Sequence, residues 1–347
     1  MHTATRQART YVGNIIAGKH LCCQVPLFFP CYNSRMKYVI GVDLGGTQMR
    51  AALVTADGEI LAHERSRTCI EEGPTAVIAR MVGMIDRVRV ALPSSGDVLG
   101  IGIGAPGPLN PETGVVYAPP YMPGWHTIQL RDAVAGPTGL PVVINNDANV
   151  AALAEWRFGA GIGTRHMVYV TVSTGIGGGV IIDGRLLLGR LGAAAELGSI
   201  ILDAERGLTW EELASGTALG QAAATSMPAH PTSLLHSLAT PENVTAAHVA
   251  RAAADGDTLA RSLMDREAQF LGMGFASILH IFSPELLLVG GSVALENPDL
   301  VAQAREIAYR RVIVNLYRDV PIMPPHLGER VGVLGAAALM LDTSRNF

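Results

Sequence analysis

The feature that most constrains this chain is a strand, glycine turn, strand unit that occurs twice. YVIGVDLGGTQMRAALVTADGEIL carries a β-rich run, the Gly45-Gly46 pair, a second apolar run and an Asp57-Gly58 hairpin signal. MVYVTVSTGIGGGVIIDGRLL repeats the order, with a glycine cluster from Gly175 to Gly179 and then Asp183-Gly184. The two units lie about 130 residues apart, which suggests a pseudo-duplicated α/β protein whose halves each offer a glycine turn. Between them come a helix-like stretch PTAVIARMVGMIDRVRVAL, a strand LGIGIGAPGP, a Pro- and Gly-rich loop from Pro106 to Gly124, the strand PVVINND and the helix ANVAALAEWRFG. Leu271, Phe275, Ile278 and Phe282 recur at three- and four-residue spacing, so REAQFLGMGFASILHIF predicts a core-facing helix ended by Pro284, followed by the strand ELLLVGGSV. Strands alternating with helices indicate α/β domains, and the last stretch, GVLGAAALML, is expected to pack back on an earlier one.

Composition narrows the class. The chain has 347 residues, 49% hydrophobic and 16% charged, which excludes the profile of a disordered protein and favours two domains. With 26 Lys+Arg against 30 Asp+Glu the net charge is −4, which argues against a nucleic-acid partner, since phosphate backbones need a basic surface. No apolar run approaches a membrane span. The four cysteines, Cys22, Cys23, Cys31 and Cys69, lack paired zinc spacing, and none follows Cys69, so a reducing cytoplasm is the expected location. Residues 1–35 contain no acidic residue and hold three of those cysteines. They read either as a targeting leader or as a disordered or misassigned start before Met36, and are set aside from fold reasoning.

A turn that presents backbone N–H groups to an anion must be free of side chains where the phosphate approaches. Gly45, Gly46 and Thr47 meet that need, as do Thr174, Gly175, Gly177 and Gly178. Gly290 and Gly291 form a third turn on which an adenine or ribose can lie flat. A single Gly-Gly pair is ordinarily only a turn; three at strand ends point to a nucleotide. Neither the dinucleotide fingerprint nor a P-loop is present. Asp147, at the end of PVVINND and the start of the next helix, stands at a strand terminus and is the candidate base. The residues alone leave open whether Asp147, or Asn149 beside it, simply caps the following helix.

DLGGTQMR, APGPLNPETGVV, MPGW, NNDANVAALAE, VSTGIGGGVIIDG, AAELG, SPELLLVGGSV and GERVGVLGAAAL, in that order from Met36 onward, resemble the ROK family, and most closely its glucokinase-type sugar kinases. The resemblance implies an actin-like (ribonuclease H-like) ATPase fold in which two α/β domains, 36–143 plus 330–347 and 144–329, close over ATP and a sugar. It implies that Asp147 abstracts the proton of the acceptor hydroxyl. Asn146, Glu196, Glu211 and Gly107 then contact the sugar, and Asp43 orients Mg²⁺ through water. Glu212, adjacent to Glu211, leaves that assignment less fixed. Glucose is the leading acceptor; fructose, mannose, N-acetylglucosamine and N-acetylmannosamine are alternatives, as is a non-catalytic sugar-sensing protein. Dimers are common among such proteins, so a homodimer is an open expectation. The chain also departs from the family pattern. Ser199 stands where E-x-G-H places histidine, and the cysteine cluster of the family's zinc lobe is missing, so no structural zinc is expected. Pro120 replaces a frequent asparagine. Both differences bear on sugar choice.

Overall fold

The computed structural model describes residues 36–120, 122–313 and 315–343. The expectations for residues 1–35, Cys22, Cys23 and Cys31 included, lie outside them.

Strands β1 (Met36–Leu44), β2 (Gln48–Thr55) and β3 (Ile60–Arg67) form an antiparallel meander, followed by helix α1 (Gly73–Arg89) and strand β4 (Gly96–Ala105). A two-stranded pair, β5 (Leu109–Asn110) and β6 (Val115–Val116), precedes α2 (Leu130–Thr138), β7 (Val142–Asn146) and α3 (Asp147–Phe158). β1, β4 and β7 are parallel, so the first sheet runs β3-β2-β1-β4-β7. The second half repeats this plan. β8 (Met167–Val172), β9 (Ile176–Ile182) and β10 (Arg185–Leu186) make the antiparallel meander. A short pair, β11 (Ile201–Asp203) and β12 (Leu208–Thr209), is followed by helices α4 (Trp210–Ala214), α5 (Gly216–Ser226), α6 (Leu235–Leu238), α7 (Ala246–Ala254) and α8 (Thr258–Phe282). Then come β13 (Leu286–Gly290), α9 (Ser292–Glu296), α10 (Pro298–Arg311), β14 (Ile322–Met323) and α11 (Val331–Thr343). β8, β13 and β14 are parallel, giving β10-β9-β8-β13-β14, the same order as the first sheet. The duplication read from the two glycine hairpins is therefore a duplication of whole sheets.

Period-2 alternation assigns the faces. Tyr38, Ile40, Val42 and Leu44 of β1 pack with Val77, Met81 and Ile85 of α1, while Val39 joins Leu334, Ala337 and Leu341 of α11 on the opposite face. Asp43 falls in the second register, beneath α11. In the second sheet Val168, Val170 and Val172 meet Leu271, Phe275 and Ile278 of α8; Met167 and Tyr169 turn instead toward α3.

Helix α11 lies almost backbone on backbone against the first sheet. A Cβ on Gly41 would sit 2.0 Å from the Val333 carbonyl oxygen, one on Gly102 1.8 Å from that of Ala336, and one on Gly335 1.9 Å from that of Val150 in α3. The C-terminal stretch thus packs back as the sequence predicts, crossing α3. Glu155, fully buried in α3, accepts hydrogen bonds from the backbone N–H groups of Ala160 (2.9 Å), His326 (3.1 Å) and Leu327 (2.7 Å). Arg157 pairs with Asp342 of α11.

Two stability predictions follow from this packing. Gly102→Ala forces a methyl into a carbonyl that cannot swing aside and destabilises by about 3 kcal/mol, read as a lowered urea midpoint. Glu267 in α8 is buried with neither carboxylate oxygen partnered, and burial pushes its carboxyl up to about 8. The folded acid keeps a proton that the unfolded chain releases near 4.5, so stability is highest below that window and falls as pH rises through it. Glu267→Gln flattens this slope, measured as the change in urea midpoint between about pH 5 and about pH 8.

Candidate active site

The carboxyl ends of the first sheet's parallel strands bring the predicted acids together. β7 ends at Asn146, opposite Ala105 of β4, which places Gly107 of the APGP segment two residues beyond its register partner. The Asn146 side chain accepts a hydrogen bond from the Asn149 N–H at 2.7 Å and is the N-cap of α3. This corrects the alternative left open by the sequence: neither Asp147 nor Asn149 is the cap. Asn149 is buried and donates to Asn145. Asp147 is the first helical residue, its Oδ1 accepting from the Ala148 N–H at 2.8 Å.

Asp147 shares a cavity of about 210 Å³ with Asp43, Arg50, Tyr169, Thr171 and Glu329. Asp43 lies against the first turn of α11, where a Cβ on Gly332 would come within 2.5 Å of its Oδ2. Arg50, its cross-strand partner in the hairpin, reaches that oxygen at 3.2 Å. Burial raises the Asp43 carboxyl above its ordinary value and the Arg50 charge partly offsets the rise. Asp147 is raised too, first by burial and, among charges, by Asp43. Burial also raises Tyr169. Arg50, Tyr169, Thr171 and Glu329 were not singled out by the sequence reading; the cross-strand pairing of Asp43 with Arg50 was the one signal available for them.

The first glycine turn is pinned from behind. The Gly45 N–H donates to the Gln48 carbonyl (3.0 Å), and Thr68 donates from Oγ1 to the Gly45 carbonyl (2.6 Å) and from its N–H to the Thr47 carbonyl (2.9 Å). Beside Gly46 the space is open, with no atom within 4 Å of an added Cβ, and Thr47 is exposed. In the second hairpin the turn is Ser173-Thr174-Gly175. Gly177 and Gly178, expected in that turn, lie in β9 instead. Protein fills the space beside them: a Cβ on Gly177 would meet Ala148 of α3 at 3.3 Å, and one on Gly178 would meet Leu197 at 2.4 Å. Their missing side chains let α3 and the Glu196 loop approach the strand.

At the third turn Gly290 faces Tyr169, whose hydroxyl would stand 2.4 Å from an added Cβ, and Gly291 adopts φ +88° against Val172. Gly290 is buried and Gly291 is partly exposed. A second cavity, about 570 Å³, lies alongside, lined by Ser173 and Thr174, by Thr217 and Gln221 of α5, and by Ser292 and Asn297 near α9. Apart from Thr174, the sequence reading missed these residues; the Gly216-Thr217 start of α5 carries no motif that marks it.

Glu196 precedes a short 3-10 turn at Leu197–Ser199 and keeps an exposed side. Partial burial raises its carboxyl, as do the charges of Asp147 and Glu211, which places all three acids within electrostatic reach. The ambiguity between Glu211 and Glu212 resolves by local structure. Glu212 closes a capping box with Thr209 and is lowered by those hydrogen bonds, whereas Glu211, though exposed, accepts from the Ile176 N–H at 2.7 Å. Ser199 and Pro120 are exposed. Among the described residues, no three His, Cys, Asp or Glu side chains come together as a metal cluster, and no helix is long and apolar enough to cross a membrane.

Comparison with known proteins agrees with this architecture. A glucokinase from Thermotoga maritima is 36% identical over 314 residues, spanning 88% of this chain and 97% of that protein. The ROK hexokinase of Thermus thermophilus superposes with a TM-score of 0.78 at 33% identity, covering 89% of this chain and all of the other. A ROK family glucokinase from Streptomyces griseus, solved in complex with glucose and AMPPNP, gives 0.71 at 32% identity over 87% of this chain and 98% of its own. The model of the ROK family matches residues 39–343, nearly everything from the first strand to the last helix, and on that extent the chain belongs to the ROK family.

Proposed function

We propose that this chain is an ATP-dependent sugar kinase of glucokinase type, transferring the γ-phosphoryl group to the terminal hydroxyl of a hexose, with glucose as the leading acceptor. The observation that carries this reading is the convergence of Asp147 and Asp43 on one cavity while Glu196 and Glu211 sit within electrostatic range of Asp147. Two domains, 36–143 plus 330–347 and 144–329, close over the substrates. Gly107, the free amide of Asn146, Glu196 and the free oxygen of Glu211 hold sugar hydroxyls, and a site of paired polar groups discriminates against acceptors that lack them.

Asp147 takes the proton from the acceptor hydroxyl as that oxygen attacks phosphorus. Its burial and its neighbour Asp43 keep the carboxylate basic enough for the task. The N–H groups of Gly46 and Thr47, in a turn that Gly45 closes by its bond to Gln48, and those of Thr174 and Gly175 are directed at the phosphate oxygens, and the 570 Å³ cavity accommodates the nucleoside. Gly177, Gly178, Gly290 and Gly291 serve the donor indirectly, by letting neighbouring segments close up behind these turns.

Asp43 presents hard oxygen and keeps Oδ1 clear of Arg50, a donor set that suits Mg²⁺ shared with substrate phosphates better than a metal caged by protein alone. When bound, the cation neutralises charge on the transferring group. Ser199 in place of a zinc-lobe histidine extends the reading to an enzyme without structural zinc. A cytoplasmic homodimer completes it.

A coupled ATP-to-ADP assay over hexoses and N-acetylhexosamines tests the function. Asp147→Asn lowers kcat by about a hundred- to ten-thousandfold while the fold is kept; unchanged turnover rejects Asp147 as base. Since the base must be ionised and its carboxyl is raised, activity is lost as pH falls through a midpoint above the ordinary carboxylate value of 3.8. A zinc chelator leaves activity and stability unchanged, with elemental analysis as the check.

A further inference from the structure

Glu211 is tied to the glycine turn more closely than a sugar ligand requires. Its Oε2 accepts from the Ile176 N–H at 2.7 Å, and a Cβ on Gly175 would stand 2.5 Å from the same oxygen, so the carboxylate sits close against the Gly175-Ile176 peptide at its N–H edge. The next peptide, Ile176-Gly177, is covered as well. A Cβ on Gly198 would meet the Ile176 carbonyl oxygen at 2.2 Å and the Glu211 Cβ at 3.3 Å, so the Glu196–Gly198 segment is pressed against both.

Two further hydrogen bonds join the start of α5 to the turn. Gly216 N–H donates to the Ser173 carbonyl at 2.8 Å and Thr217 N–H to the Thr174 carbonyl at 3.3 Å. The Ser215 N–H in turn donates to the Glu211 carbonyl at 3.0 Å, so the carboxylate and the junction that grips the turn belong to one short piece of chain. Of these bonds to the turn only the one from Glu211 comes from a charged side chain, and a charge-assisted hydrogen bond is the stronger kind. Glu212, which a shift of one residue would substitute, is held in its capping box by Thr209 and is unable to take this place.

We propose that Glu211 is a positioning residue for the phosphate donor: one carboxylate oxygen holds the Thr174-Gly175 turn in its phosphate-facing shape while the other faces the acceptor. This rests on the reading of that turn as part of the donor site. One side chain then belongs to both substrate sites. Removing it weakens nucleotide binding even when no sugar is present, which a residue that only binds sugar does not do.

The test is calorimetric titration of the full chain with the magnesium complex of a non-hydrolysable ATP analogue, in the absence of sugar. Glu211→Ala raises the dissociation constant by about tenfold. Glu211→Gln, whose amide oxygen still accepts from the Ile176 N–H, stays within about twofold of the parent, while its KM for sugar rises because an acceptor of hydroxyl hydrogen bonds is lost. Glu196→Gln raises the sugar KM and leaves nucleotide binding at the parent value. Thermal melts of each variant separate this from unfolding, and if Glu211→Ala is unstable the Gln variant and Glu211→Met are compared in its place. Equal nucleotide affinity in the parent and in Glu211→Ala or Glu211→Met overturns the proposal, as does a loss in Glu211→Gln as large as in Glu211→Ala. A parent that binds no nucleotide at all rejects the kinase reading itself and is thereby distinguished from failure of the Glu211 role.

Discussion

The approach of α11 to the first sheet is the constraint on which the rest of the molecule depends. Sheet and helix ordinarily keep a layer of side chains between them. Here Gly41 and Gly102 remove that layer on the sheet side and Gly335 removes it between α11 and α3. Backbone contact of this kind gives up hydrophobic area and gains definition, because close-packed peptide groups have no rotamers with which to relax. The definition matters where the helix begins. Its first turn rests on Asp43, and the start of α3 carries Asp147, so two helix N-termini meet at one small cavity and their dipoles favour the carboxylates that burial disfavours.

The same economy of side chains recurs in the second sheet, with a different outcome for interpretation. Gly177 and Gly178 are side-chain-free because α3 and the Glu196 loop come close, whereas beside Gly46 the space stays open. A glycine in a sequence records that something approaches the backbone. Whether that something is a ligand or another part of the chain is decided by residues distant in sequence, and so the hairpin glycines were recognisable as a group but not separable into those facing solvent and those facing protein.

What the sequence displayed well was local. The Asp183-Gly184 pair adopts positive φ at both residues, 52° and 71°, as a tight hairpin turn demands, and the repeat of that hairpin carried the duplicated strand order. Asp147 was legible from its place at a strand end. The partners that shape its surroundings were not: Glu329 and Tyr169 come from elements far along the chain, and the 570 Å³ cavity is completed by α5 and the loop before α7, neither of which carries a motif. Asn146 was assigned to the sugar by resemblance; its side chain caps α3, a role visible only once the helix start is located. Glu267 had no counterpart in the sequence reading, since the Glu of a helix is ordinarily solvated.

The buried carboxylate of Glu155 has a mechanical consequence. By accepting from three backbone donors on the segments that follow α3 and precede α11, it welds the far end of one helix to the approach of the other, and Arg157 with Asp342 repeats the bond along the crossing. The two helices are therefore tied to one another as well as packed, and the tie holds Asp147, at the start of α3, at a set distance from Asp43, which lies against the first turn of α11.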